Sequence, residues 1–223
     1  MTRGILIAGT ESSLSAAISG EAGRRVEQFA AAFIPSHISD PGPERLAAEG
    51  SRLIPLSWNP GSPISARALV LAAVNRLEHI DNAILVCTPP SVRRPADELS
   101  PGDIEAIVND YIKGWFFLVR ELTIHLKTRG AGTLALVLSD IGTAGVRDET
   151  VDLMGPSVAA SFRSFAQGLL AASFGKPYAT LAFSTETGED AGFASFIFKH
   201  VDEGGRRSSG KWFKFGKLGI FGR

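Results

Sequence analysis

The sequence predicts a doubly wound parallel α/β sheet in three layers, built as a single domain over residues 1–223. Three observations predict it. Short apolar runs with the length of strands alternate with longer stretches of helical periodicity, the pattern of βαβ crossovers. The run Thr133 to Leu138 is uniformly apolar, as expected of a strand covered on both faces. No domain-sized linker or internal repeat divides the chain, and its length fits one sizeable core.

The elements follow in order. Gly4 to Ala8 is a strand-like run ending at Gly9, and Ser12 to Ile18 begins a helix with Ser12 or Ser13 as N-cap. Val26 to Ile34 reads as a second strand, although Ala30, Ala31 and Ala32 also suit a helix. Glu44 to Glu49 is a short helix and Arg52 to Trp58 a third strand. Ala66 to Leu77 has helical spacing and leads into a fourth strand, Asn82 to Cys87. Ile104 to Lys127 is a long amphipathic helix with Ile107, Tyr111, Gly114, Leu118 and Leu122 on one face. After the strand Thr133 to Leu138 come a helix over Ser157 to Phe174, a strand over Tyr178 to Phe183 and a helix over Ala191 to Val201. Trp212 to Phe221 supplies a seventh strand. Val146 to Gly155 and Asp202 to Gly210 read as loops, the first beside the expected site.

Composition excludes several classes. Lys plus Arg equal Asp plus Glu at 23 each, so no global field draws the chain to nucleic acid or an anionic membrane. Cys87 is the single cysteine, which forbids an internal disulfide and suits a reducing, cytoplasmic setting. The N-terminal apolar run is too short for a signal peptide, and no run is long enough to span a bilayer. The histidines His37, His79, His125 and His200 show no spacing for a metal or a triad and read as structural or surface residues. No Gly-x-Ser-x-Gly, Cys-x-x-Cys or His-Glu-x-x-His motif supports a hydrolase or zinc site.

The most informative stretch runs from Gly132 through the apolar strand to Ser139, then Asp140, Gly142 and Gly145, and on to the small-residue helix Ala159 to Leu170. It delivers a serine from a buried strand to a loop and then a helix. In this order and spacing, over nearly the whole chain from Gly4 to Gly222, the sequence resembles the short-chain dehydrogenase/reductase family. That resemblance implies a Rossmann-like fold, a nicotinamide cofactor and a small carbonyl or alcohol substrate. It places Ser139 at the position of the serine that polarises the carbonyl, Ala159 at that of the proton-donating tyrosine, and Arg163 at that of the lysine that holds the ribose. It places Tyr111 at the asparagine of the proton relay, with Asn109 two residues earlier. Alanine cannot donate a proton, and arginine is too weak an acid to replace it. Losing a general acid costs about 10²–10⁴-fold in rate.

The cofactor positions have drifted too. The glycine-rich turn becomes Ala8-Gly9-Thr10-Glu11-Ser12-Ser13-Leu14-Ser15, so Gly9 stands at the first glycine and Ser13 and Ser15 at the other two. A serine Cβ obstructs close backbone approach to a pyrophosphate, though its hydroxyl could donate to one. Asn59 replaces the acidic residue that meets adenine. Cys87-Thr88-Pro89-Pro90 replaces the loop that borders the nicotinamide ribose, and its prolines remove backbone donors. Ser36 and His37 offer no carboxylate for a ribose 2′-hydroxyl, so NADP is preferred over NAD if either binds. Tyr178 reads as a packing residue, Asp140 as a solvated loop charge, and Ser209 to Gly222 as a last strand rather than a basic-aromatic tail.

The resemblance also implies a homodimer or homotetramer built on the long helix and the last strand. The cluster Trp115, Phe116 and Phe117 exceeds what one buried face needs. Two functions remain open from the sequence. One is an atypical NAD(P)-dependent reductase using Ser139, Tyr111 and Arg163. The other is a degenerate member without hydride chemistry or cofactor that acts as a binding, sensor or structural partner.

Overall fold

The computed structural model describes residues 3–35, 52–140, 152–203 and 208–216. A single parallel sheet of seven strands has the order β3-β2-β1-β4-β5-β6-β7. The strands are β1 (Ile5–Thr10), β2 (Phe29–Ile34), β3 (Leu53–Pro55), β4 (Asn82–Cys87), β5 (Thr133–Ser139), β6 (Ala179–Thr185) and β7 (Lys211–Phe215). The order runs outward from β1 in both directions, which is the double winding expected. β1, β4 and β5 are buried along their whole length, which is why they read as unbroken apolar runs.

Among the described residues six α-helices cover the two faces: α1 (Ser13–Arg25), α2 (Pro63–Leu77), α3 (Pro101–Val108), α4 (Gly114–Arg129), α5 (Met154–Ala171) and α6 (Asp190–Asp202). α1 and α6 pack on one face over Ile5, Ile7, Ile84, Val86, Ala135, Val137, Leu181 and Phe183. α2, α4 and α5 pack on the other over Leu6, Ala8, Leu85, Leu136 and Leu138. Residues alternate between the two cores along each strand, as the pleat requires. On the second face, Trp115 lies 5.5 Å from both Trp58 and Phe162 between ring centroids. Such aromatic contacts add about 0.5–1.5 kcal/mol each beyond burial.

Several expected boundaries move, each for a local reason. Ser12 is the N-cap of α1, its side chain accepting from the Ser15 N–H. Val26 lies beyond the end of α1, so the second strand begins at Phe29 rather than Val26. The single long helix expected over Ile104 to Lys127 is present, running from α3 through a π-helical turn at Asn109–Lys113 into α4 without leaving helical dihedrals. There the Gly114 N–H reaches back five residues to the Asn109 carbonyl. The expected face nonetheless stays inward: Ile107, Tyr111, Leu118 and Leu122 are all buried. α5 starts at Met154 rather than Ser157 because the Asp152 carboxylate accepts the Met154 and Gly155 N–H groups at 3.1 and 2.9 Å. The helix expected at Glu44 to Glu49 and the strand beyond Gly216 lie outside the described residues, as does most of the loop from Val146.

Candidate functional site

In an open doubly wound sheet, ligands sit beyond the carboxyl ends of the strands where the winding reverses, here between β1 and β4. At that point β1 passes into α1 through a tight turn whose polar groups bond to one another. The Thr88 hydroxyl donates to Ser12 Oγ at 3.2 Å, Ser12 donates to Ser15 Oγ at 3.0 Å, and Ser15 donates to the Thr10 carbonyl at 2.6 Å. Ser15 is fully buried. Its N–H is capped by Ser12, and the Glu11 N–H donates to the Ile34 carbonyl at 2.9 Å. Ser13 is exposed at the first residue of α1. Gly9 has a packing role: a Cβ there would come 2.2 Å from the Val86 carbonyl oxygen of β4.

The loop after β4 turns toward α5. Cys87 is the last residue of β4, wholly buried, and burial raises its thiol pKa well above the ordinary range, so it stays protonated. From Thr88 the chain runs to Pro90, whose carbonyl oxygen would lie 2.4 Å from a Cβ at Gly155. Arg93 and Asp152 then form an isolated antiparallel bridge. The loop after β4 therefore packs its own backbone against the start of α5.

Ser139 ends β5, buried and opposite Thr185 in the β5–β6 register. Alternation along β5 puts it in phase with Ala135 and Val137, which face α1 and α6. Tyr111 is 1 % exposed in the π turn and belongs, with Ala159, to the opposite core. Ala159 is itself 6 % exposed on the inner face of α5. Arg163, one turn on, pairs with Asp140 directly after Ser139, and the Asp140 N–H donates to the Thr185 carbonyl at 2.8 Å. Asp140 is thus an ion-pair partner that anchors α5 to the end of β5, not the solvated loop charge expected. No sequence signal marks the pair, because the two residues stand 23 apart.

The remaining candidates serve local structure. The Asn59 side chain accepts from the Gly61 N–H at 3.0 Å, closing the turn before α2. Asn109 accepts from Lys113 Nζ at 3.2 Å, beside Gly61. His125 accepts the Ile80 N–H, His79 pairs with Asp81 and His200 stacks on Phe213. Among the described residues no group of His, Cys, Asp and Glu could hold a metal ion. No helix there is long and apolar enough to cross a membrane. His37 and Ser36 lie outside the described residues.

The sequence matches no protein-family model and no curated protein. Solved structures do match. Levodione reductase superposes with a TM-score of 0.74 at 12% identity, over 96% of this chain and 95% of that one. A short-chain type dehydrogenase/reductase from Mycobacterium marinum gives 0.73 at 13% identity, over 95% and 92%. The NADH-dependent reductase A1-R′, solved with NAD, gives 0.71 at 13% identity, over 96% and 94%. The chain has the short-chain dehydrogenase/reductase fold.

That fold implies a nicotinamide dinucleotide, and the residues here do not fit one as the fold requires. The turn that would cradle the pyrophosphate is closed by the Thr88–Ser12–Ser15 hydroxyl chain. The loop that would border the nicotinamide ribose packs on the start of α5, Pro90 against Gly155 and Arg93 against Asp152. The Asn59 side-chain carbonyl is engaged. Polar demand nonetheless remains at this edge. Thr10 Oγ1, at the end of β1, and the Trp58 indole N–H, beyond β3, are buried with no hydrogen-bond partner among the described residues. A buried, unpaired polar group costs about 1–3 kcal/mol. Sequence reasoning missed both, along with Thr88, since nothing local separates an orphaned hydroxyl from a bonded one.

Proposed function

We propose that this is a short-chain-reductase-like protein without hydride-transfer chemistry, acting as a binding or sensor protein and assembling as a homodimer or homotetramer. The observation that carries the reading is Ala159 on the buried face of α5, at the position where the family resemblance puts the proton donor. Without an acid at that position the reading leaves hydride transfer no proton source there. Phe116, 55 % exposed and 4.5 Å from Phe165 between ring centroids, supports assembly through α4 and α5. A single, wholly buried cysteine agrees with a cytoplasmic setting.

The test is a thermal-shift titration with NADPH, NADP, NADH and NAD. A ligand at about a hundred times its dissociation constant stabilises by about 2.7 kcal/mol, roughly 5–10 °C for a chain of this size. We expect no shift with any of the four at millimolar concentration, and no carbonyl reduction from the double variant Ala159→Tyr with Arg163→Lys. A dose-dependent shift joined to gained reduction sinks the reading.

One observation favours a second reading, an NAD(P)-dependent oxidoreductase acting on a small carbonyl. The π turn carries Tyr111, and such turns recur at functional sites. In that reading Ser139 polarises the carbonyl, Tyr111 delivers the proton and Arg163 binds the cofactor, with NADP preferred to NAD. Gly9, Ser13, Ser15, Asn59 and Cys87 then border the dinucleotide. Nucleotide binding with turnover that disappears in Tyr111→Phe selects it.

A further inference from the structure

Among the described residues, the sheet is left partly uncovered beside α5. β7 lies at the edge of the sheet, paired with β6, and a groove of about 690 Å³ runs between it and α5. Small-molecule sites occupy about 300–1,000 Å³. The floor is Trp212 and one wall is Leu170, both packed against the core beneath.

The polar groups gather toward the carboxyl ends of the strands. Ser184 and Lys214 stand opposite each other in the β6–β7 register, and Arg163 lines the groove from α5. The Trp212 indole N–H donates to Ser184 Oγ at 2.9 Å. That bond occupies a lone pair on Ser184 and leaves its hydroxyl proton free to be donated. Lys214 forms no ion pair with a described residue. Arg163 pairs with Asp140 through one terminal nitrogen, so guanidinium donors remain. The Glu186 carboxylate also lines this end. Among the described residues this end carries two cations, Arg163 and Lys214, and two carboxylates, Asp140 and Glu186, so it is rich in donors yet close to neutral. That balance suits a singly charged anion better than a multiply charged phosphate.

We propose that this groove binds a small monocarboxylic acid with a flat apolar body. The carboxylate takes the Ser184 hydroxyl and the Lys214 ammonium, and the body lies along Trp212 and Leu170. Arg163 is shared with the end of β5, but the β1–α1 turn contributes nothing. The site therefore stands whichever way the nucleotide titration falls.

The experiment is a titration of the full-length ¹⁵N-labelled protein with 4-phenylbutyrate, and with 4-phenylbutanol as the neutral counterpart. The readout is the Trp212 indole N–H resonance, assigned by its loss in Trp212→Phe. The acid should move that resonance saturably and bind about tenfold more tightly than the alcohol, the ratio one added charge contact supplies. Lys214→Gln, at an exposed position, should weaken the acid about tenfold while leaving the alcohol and the melting temperature unchanged. Ser184→Ala should weaken the acid as a second, independent variant. Equal affinity for acid and alcohol, or an unshifted Trp212 resonance up to about 10 mM, overturns the proposal.

Discussion

Gly9 stands where the fold's first phosphate-binding glycine would, yet its smallness is demanded by packing alone. A Cβ would meet the Val86 carbonyl oxygen at 2.2 Å, and main chain at the centre of a sheet yields little. Gly9→Ala should therefore destabilise by about 3 kcal/mol or more, read as a large drop in melting temperature whether or not nucleotide is present. Thr10, the next residue, tests the unmet polar demand. Its hydroxyl is buried without a partner among the described residues, so the near-isosteric Thr10→Val removes a desolvation penalty. The variant should be as stable as the native chain or more so, by about 1 kcal/mol. A clear loss of stability in a denaturant melt would mean the hydroxyl is bonded. Ser15→Ala should behave oppositely, costing about 1–2 kcal/mol. It removes a buried donor from the Thr10 carbonyl and an acceptor from Ser12.

At the scale of elements, α4 is fastened to the amino end of β4 by a titratable contact. His125 Nε2 accepts the Ile80 N–H at 3.3 Å. Arg129 of the same helix pairs with Asp81, and His79 faces Asp81 at 3.0 Å. Burial lowers the His125 pKa below its ordinary 6.5, and the nearby Arg129 and His79 charges push the same way, against Asp81. The unfolded chain therefore takes up this proton before the folded one. The stability it contributes is fully present above the ordinary value. It is lost as pH falls through that value toward the lower folded-state pKa. Melting temperature should decline on acidification below about pH 6.5, and His125→Gln should flatten that part of the profile. An unchanged profile in the variant would remove His125 from the account. The π turn is the other element-scale feature. Its inward face was legible in the spacing of Ile107, Tyr111 and Leu118. The π turn was not, because it changes hydrogen-bond partners without removing the apolar stripe.

For the molecule as a whole, the question is whether α4 and α5 are covered in solution. Phe116 and Ile124 of α4 are 55 % and 48 % exposed, and the Phe165 ring of α5 lies tilted against Phe116. We expect light scattering at micromolar concentration to give a dimer or tetramer, and Phe116→Glu to shift it to monomer with the fold intact. A native chain that elutes as a monomer refutes assembly through this face. The same helix pair carries Arg163, and β6 and β7 carry Ser184 and Lys214. Those residues lie far apart in the chain and meet only because the last strand returns beside β6.

The sequence by itself determined the layered, doubly wound sheet. Burial on both faces imposes unbroken apolar runs, and β4 occupies the residues Asn82–Cys87 that its run marks. Composition and spacing also located the serine turn and the buried face of the long helical stretch. Only the tertiary structure decided what those residues do. Ser12 and Thr88 are 76 positions apart, and Arg163 and Asp140 are 23 apart. Whether a hydroxyl or a guanidinium is free for a ligand depends on such partners, and strand order brings them together. Periodicity records which side of an element is buried; it carries no record of which polar group lies across the crevice.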